Sequence, residues 1–169
     1  MPARIPALLV ASVVLAGVSG AYAGPNSTES YRTAERMAIA GDIDAAIGGF
    51  RKTLEINPHY ALAHYGLGKA YLYRAGMLKQ AVYHLEKAVD LDKGLARGYF
   101  YLGIAYMLSR RYGQSLNAFS AAYERDGSLV EALYNMAVVY DLIRKNTMAL
   151  KSYERYLLEK NKRDSDILF

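Results

Sequence analysis

Few residues in this chain could do chemistry. Histidines stand at His59, His64 and His84. An imidazole can shuttle protons near neutral pH or bind a metal, but a metal site needs several ligands converging from a suitable spacing. His59 and His64 are five residues apart across an expected helix start, which turns them to different sides of one helix. No acidic residue joins them in an obvious ligand set, so they read as packing or surface residues. Tyr65-Gly66-Leu67-Gly68 has the letters of a phosphate-cradling glycine loop. Such a loop must follow a strand and open a helix, whereas this stretch lies inside an expected helix with no strand before it. No serine occupies a strand–turn–helix elbow. There is no cysteine, which excludes disulfides, thiolate chemistry, zinc–cysteine sites and a bacterial lipoprotein anchor. The carboxylates sit mostly at helix ends or exposed faces, where hydration and helix dipoles account for them. The expectation is a protein that is not an enzyme, with no metal and no cofactor.

The bulk numbers bound the class. With 169 residues, 53% apolar and 22% charged, the chain has enough material for one packed domain. Lys and Arg exceed Asp and Glu by five, too small an excess to call for nucleic acid. Arg144, Lys145, Lys151 and Arg155 make a modest basic face that reads as solvated surface. Sixteen tyrosines and no tryptophan favour surfaces that are partly buried and partly wet.

Residues 1–23 read as an export signal. Arg4 supplies the positive start, Ile5 to Val18 the apolar run, and Ala21-Tyr22-Ala23 an A-x-A cleavage site. The run is short for a membrane span, so no span is expected after cleavage. Residues 24–29 are polar and rich in breakers, and are expected to be a linker. Asn26-Ser27-Thr28 matches the glycosylation triplet, which reads as a chance match.

The remainder reads as helix pairs. Ser30 to Ala40 and a helix from Asp44 form the first, ended by Asn57-Pro58, because the residue before proline is pushed out of the helical region. Ala61 to Arg74 pairs with Lys79 to Leu91, Leu95 to Arg110 with Gln114 to Glu124, and Leu129 to Arg144 with Thr147 to about Lys162. The pairs repeat. Tyr65-Gly66-Leu67-Gly68-Lys69-Ala70-Tyr71 returns around Gly103 and Ala137, at spacings of 35 and 34 residues. In the second helices Phe50, Leu85, Phe119 and Tyr153 follow at 35, 34 and 34. The one extra residue is assigned to the turn around Ala75 to Leu78.

This pattern resembles the tetratricopeptide repeat, a 34-residue helix–turn–helix unit. The resemblance runs from about Ser27 to Arg163, and its best copy is His64, Leu67-Gly68, Tyr71, Ala81, Leu85 and Ala88. The proline usual after the second helix survives only as Pro58; Lys93 and Gly127 replace it later. The first repeat has Ala34 and Met37 where glycine and tyrosine are commoner. The resemblance implies an all-α superhelix, a solenoid of four repeats at about 27–60, 61–95, 96–129 and 130–163, within a domain at 30–163 followed by a tail at 164–169.

Stacked pairs present a concave surface built from their first helices. Its expected lining is Leu62, Tyr65, Lys69, Leu72 and Tyr73 in the second repeat. Arg97, Phe100, Tyr101, Ile104, Met107 and Leu108 follow in the third, and Glu131, Tyr134, Asn135, Val138, Asp141 and Leu142 in the fourth. An apolar, aromatic stripe of this kind marks an interaction site, so the expected partner is a protein, offering an extended peptide or an amphipathic helix. Some members of the resembled family grip a C-terminal carboxylate with lysine and asparagine. Tyr31, Glu35 and Gly66 stand where those groups would be wanted, which disfavours that mode. The apolar side of the last helix lacks a capping helix, which suggests a homo-oligomer. Exported proteins of this family commonly assist assembly of envelope machines, so the expectation is a scaffold in a bacterial periplasm. The alternatives are an accessory domain regulating an envelope enzyme, or a self-assembling structural array.

Overall fold

The computed structural model describes residues 25–166; the expected signal, its cleavage site and residues 167–169 lie outside the described residues. The described residues form eight helices: α1 (Pro25–Ile39), α2 (Ile43–Ile56), α3 (Ala61–Leu72), α4 (Leu78–Leu91), α5 (Ala96–Leu108), α6 (Tyr112–Arg125), α7 (Glu131–Leu142) and α8 (Asn146–Asp166). No strand occurs among the described residues. Each odd helix packs on the even helix after it, each even helix on the next odd one, and α1, α3, α5 and α7 lie side by side. Four helix pairs stacked in one direction make the expected solenoid.

The same few devices build every pair. Between the helices of a pair the chain turns through a left-handed residue: Gly41 (φ 83°), Gly76 (φ 78°), Arg110 (φ 58°) and Arg144 (φ 58°). Glycine enters this region without steric cost, whereas arginine adopts it at a cost of about 1–2 kcal/mol. Three of the four turns are closed by the same bond, from Asp42 N–H to Met37 O, Arg111 N–H to Tyr106 O and Lys145 N–H to Tyr140 O, at 3.0, 2.8 and 2.8 Å. This six-to-one bond satisfies a helix-end carbonyl.

Between pairs a second device repeats. Asn57, Asp92 and Asp126 end α2, α4 and α6 in an extended conformation, and their N–H groups return to Thr53, Ala88 and Ala122. Their side chains accept from the N–H two residues on, at His59, Gly94 and Ser128, at 3.0, 2.9 and 2.9 Å. An Asx side chain that mimics a turn in this way stops a helix as effectively as a proline. Lys93 and Gly127 therefore replace proline without loss of the stop.

The helices pack where side chains are smallest. Ala46, Ala81, Ser115 and Ala149 are buried on the even helices, and Ser115 Oγ donates to Gly103 O at 2.8 Å. A Cβ on Gly68 would lie 2.6 Å from Leu85 Cγ, and one on Gly103 would lie 2.6 Å from Phe119 Cδ1. These glycines let the partner helix approach, as their spacing predicts. Phe50, Leu85 and Phe119 fill the resulting space and are each no more than 3% exposed.

Three details differ from expectation. Residues 25–29 are not a linker but the first turn of α1; proline has the right φ and needs no N–H partner at a first helical position. Helix α8 runs through 164–166, the start of the expected tail, since no glycine or proline interrupts it. The extra residue of the second repeat falls between Gly68 and Gly76, because Gly76 to Ala81 has the same length as Gly41 to Ala46. It lengthens the end of α3 around Tyr73–Ala75, where bonds from Tyr73 N–H to Ala70 O and Arg74 N–H to Tyr71 O tighten the last turn.

Replacing Gly103 by leucine is expected to overpack the α5–α6 contact against Phe119 and cost on the order of 1–3 kcal/mol. Thermal or denaturant unfolding checks this; a variant as stable as the parent contradicts the placement.

Candidate peptide-binding groove

The faces of α1, α3, α5 and α7 turned away from the even helices form the concave side. One face of each helix carries residues at i, i+4 and i+8: Tyr31, Glu35 and Ile39; Tyr65, Lys69 and Tyr73; Phe100, Ile104 and Leu108; Tyr134, Val138 and Leu142. Across the stack these make rows. The first row is aromatic in all four repeats. The last row is apolar or aromatic, and Ile39, Tyr73, Leu108 and Leu142 are 81%, 66%, 53% and 52% exposed. Four large apolar residues left open in register form a contiguous patch, which differs from scattered single exposures.

Ring contacts hold the aromatic row in place. Tyr31 stacks on Tyr60 with centroids 5.2 Å apart. Tyr65 meets Tyr101 edge-on at 5.7 Å, and Phe100 meets Tyr101 at 5.6 Å. Tyr134 is backed by Tyr153 and Tyr156 of α8 at 5.6 and 5.5 Å. Lys69 Nζ lies 5.1 Å over the Tyr101 ring. Burial, then the neighbouring Tyr101 hydroxyl, pushes the Tyr65 phenol up to about 12, so it stays protonated and a donor at any physiological pH.

Of the residues expected to line the groove, Tyr73, Leu108, Tyr134, Leu62, Arg97 and Asp141 are exposed. Tyr65, Lys69, Tyr101, Asn135 and Val138 are half-buried. Phe100, Ile104 and Met107 are also half-buried and pack against the Phe119 cluster, so each is shared between the groove and the space between helix pairs. Leu72 lies in the seam between the first two cores rather than on the open face. Asn135 Nδ2 donates to Glu131 O at 3.0 Å, within its own helix.

The deepest part of the concave side lies at its first end. A cleft of about 410 Å³ is lined by Tyr31, Glu35, Ile39, Phe50, Tyr65, Gly66, Lys69, Tyr73 and Arg97, among others. The sequence places Tyr31, Glu35 and Gly66 at the clamp positions of the groove but does not mark Ile39 or Phe50 as lining it, although Ile39 stands 34 residues before Tyr73. Gly66 lets α3 pack closely on the Phe50 ring, because a Cβ there would lie 2.5 Å from it. A larger, shallow depression of about 560 Å³ lies between α1 and α2 and is lined by residues such as Asn26, Thr33, Met37, Gly48 and Lys52. It holds none of the groove rows.

The fold and the groove define a helical-repeat solenoid with an open aromatic concave face. Solved structures with the same architecture make the chain a solenoid of the tetratricopeptide-repeat type. It is similar to a crystal structure of MamA, at 19% identity and a TM-score of 0.78 over 83% of this chain and 81% of that one. It is similar to MamA from Desulfovibrio magneticus RS-1 at 22% identity and a TM-score of 0.75, over 82% and 77%. It is also similar to the first such domain of Spaghetti (RPAP3), a structure bound to the HSP90 peptide SRMEEVD, at 16% identity and a TM-score of 0.66, over 70% and 93%. No family model and no curated protein sequence matches.

One titratable cluster lies away from the groove, between α3 and α4. His64 Nδ1 and His84 Nδ1 are 2.9 Å apart, and His64 Nε2 is 3.0 Å from Pro58 O. The carbonyl can only accept, so His64 carries its proton on Nε2 and its Nδ1 accepts from His84 Nδ1–H. Burial, then the charges of His64 and Arg51, pushes His84 down to about 4. Burial likewise lowers His64, opposed by its hydrogen bond to Pro58 O, with Lys87 and His59 adding repulsion. Both folded values lie below the ordinary histidine value of about 6.5, so the unfolded chain binds protons first as pH falls. Stability from this pair is complete above about pH 6.5 and declines from there toward pH 4. The melting temperature is expected to fall over that window, and His84→Gln to flatten the upper part of the fall, above the range where carboxylates titrate. An unchanged pH profile in the variant contradicts the assignment.

Proposed function

We propose that this chain is a non-enzymatic scaffold that holds another protein in its concave groove. The observation that carries the proposal is the exposed row Ile39, Tyr73, Leu108 and Leu142 running beside the aromatic row of the same helices. Tyrosine and arginine in such a setting are frequent anchors of binding energy, and Tyr65, Tyr73, Tyr134 and Arg97 are placed accordingly. A domain of the same fold with a peptide bound supports a peptide as the kind of partner. The apolar run and A-x-A site in residues 1–23 support action outside the cytoplasm, and we assign the protein to assembly of a cell-envelope complex in a bacterial periplasm. No helix among the described residues is long and apolar enough to cross a membrane.

The triple variant Tyr65→Ala, Phe100→Ala, Tyr134→Ala is expected to remain helical and to lose partners that the parent captures from an envelope extract. Circular dichroism checks the first outcome and affinity capture with mass spectrometry the second. Undiminished capture by a folded variant overturns the proposal.

A second reading, self-assembly, is favoured by the far end of the stack. Val82 and Val89 on α4 are 7% and 6% exposed because α5 covers them. Leu150 and Leu157 on α8 stand two repeats later in the same register and are 59% and 54% exposed. A first helix from a second copy would complete the register. Leu150→Lys with Leu157→Lys is expected to convert a concentration-dependent oligomer into a monomer in sedimentation; a parent that stays monomeric at every concentration removes this reading.

A further inference from the structure

We infer that the groove is built for a proline-rich segment in the polyproline II conformation. This rests on the reading of the concave face as a protein-binding site and specifies the conformation and chemistry of its partner.

The inference comes from which polar groups the groove offers and which it has used up. Of the carboxylates on or beside the groove rows, Glu131 faces Arg163 at 3.9 Å, which leaves Glu35 and Asp141. Each already accepts from a tyrosine hydroxyl, Tyr31 Oη to Glu35 at 3.1 Å and Tyr153 Oη to Asp141 at 3.0 Å. The donors are left over. Neither Lys69 nor Arg97 is in an ion pair among the described residues, and Lys69 is held only over the Tyr101 ring. The hydroxyls of Tyr65, Tyr73, Tyr101 and Tyr134 donate to no protein acceptor among the described residues, while their rings are fixed or exposed as described. The surface thus combines aromatic faces with spare donors.

A complementary ligand has apolar rings or faces and spare acceptors. An α-helix satisfies its own backbone groups, so it could meet these donors only through acceptor side chains at particular positions. An added β-strand needs a sheet edge that alternates donors and acceptors, and no strand occurs among the described residues. A polyproline II segment has no internal hydrogen bonds, and its prolines carry carbonyls without N–H groups. Its backbone offers acceptors, and its rings pack on tyrosine.

The dimensions also agree. Polyproline II returns to the same face every three residues, or about 9.3 Å. Packed helices are typically spaced by about 8–10 Å, and Tyr31, Tyr65, Phe100 and Tyr134 stand at equivalent positions on helices lying side by side, so a ligand crossing them would meet one ring per helix. Four such rings call for a segment of about ten residues. Proline also enters with its φ preset, so little chain entropy is lost on docking.

The test is calorimetric titration of the purified protein with a decaproline peptide and, separately, with an amphipathic Leu/Lys/Glu helix of similar length, with side-chain NMR locating the contact. The expected result is saturable binding of decaproline, with shifts at Tyr65, Tyr73 and Tyr134 and none at Tyr83 on α4. Tyr65→Phe and Tyr101→Phe, which keep the rings, are expected to weaken it about fivefold per hydroxyl. Binding of the helix but not of decaproline overturns the polyproline inference and leaves the scaffold reading standing. Failure of both peptides overturns the inference, and the scaffold reading is then decided by the capture experiment alone. Decaproline binding undiminished in the double phenylalanine variant overturns the role of the hydroxyl donors.

Discussion

Everything in this molecule depends on how closely the two helices of a pair approach. Gly68 against Leu85 and Gly103 against Phe119 leave no room for even one added methyl group. Close approach buries Phe50, Leu85 and Phe119 of α2, α4 and α6 almost completely and fixes the rotation of the odd helix about its own axis. Once that rotation is set, the residues at i, i+4 and i+8 fall on the concave side in every repeat, the last of each set exposed and the first ones partly covered by neighbouring rings. The concave rows are therefore a consequence of the packing seam, and the two cannot be altered independently.

A seam used four times also explains the spread of polar devices. Each pair buries too little area to stand alone, so stability comes from neighbours stacked in register. Register requires that each junction have the same length and direction. The Asx turns at Asn57, Asp92 and Asp126 supply that between pairs, and the left-handed residues from Gly41 to Arg144 supply it within them. The single irregularity, the extra residue before Gly76, falls at the end of α3, at the tip of a turn, where it disturbs neither seam nor groove. Tyr73 keeps the register of Ile39, Leu108 and Leu142.

Much of this was legible in the sequence because it is periodic. The spacing of Leu67-Gly68 and its echoes specified the seam, and the spacing of Phe50, Leu85 and Phe119 specified what fills it. The same arithmetic reached Tyr65, Tyr73 and Tyr134 in the groove. It also reaches Ile39 one repeat earlier, although Ala34 and Met37 make the first copy look divergent. Contacts that depend on side-chain direction were out of reach. His64 and His84 are 20 residues apart on helices whose facing sides only packing defines, so neither their bond nor their lowered proton affinity could be read from spacing. The sharing of Phe100, Ile104 and Met107 between groove and core follows from the same cause. The helical start at Pro25 was missed because proline and polar residues read as a linker when their role in a first turn is overlooked.

Tyrosine footprinting by chemical modification and mass spectrometry, on the protein alone and with a captured partner bound, tests the central claim most directly. The account predicts that Tyr71 and Tyr106, buried in the seams, resist modification in both states, and that Tyr73 and Tyr134 react when the groove is empty and are protected when it is filled. Tyr83, exposed on α4 away from the groove rows, should react equally in both. Protection of Tyr83 with Tyr73 and Tyr134 still reactive would place the partner elsewhere and contradict the claim.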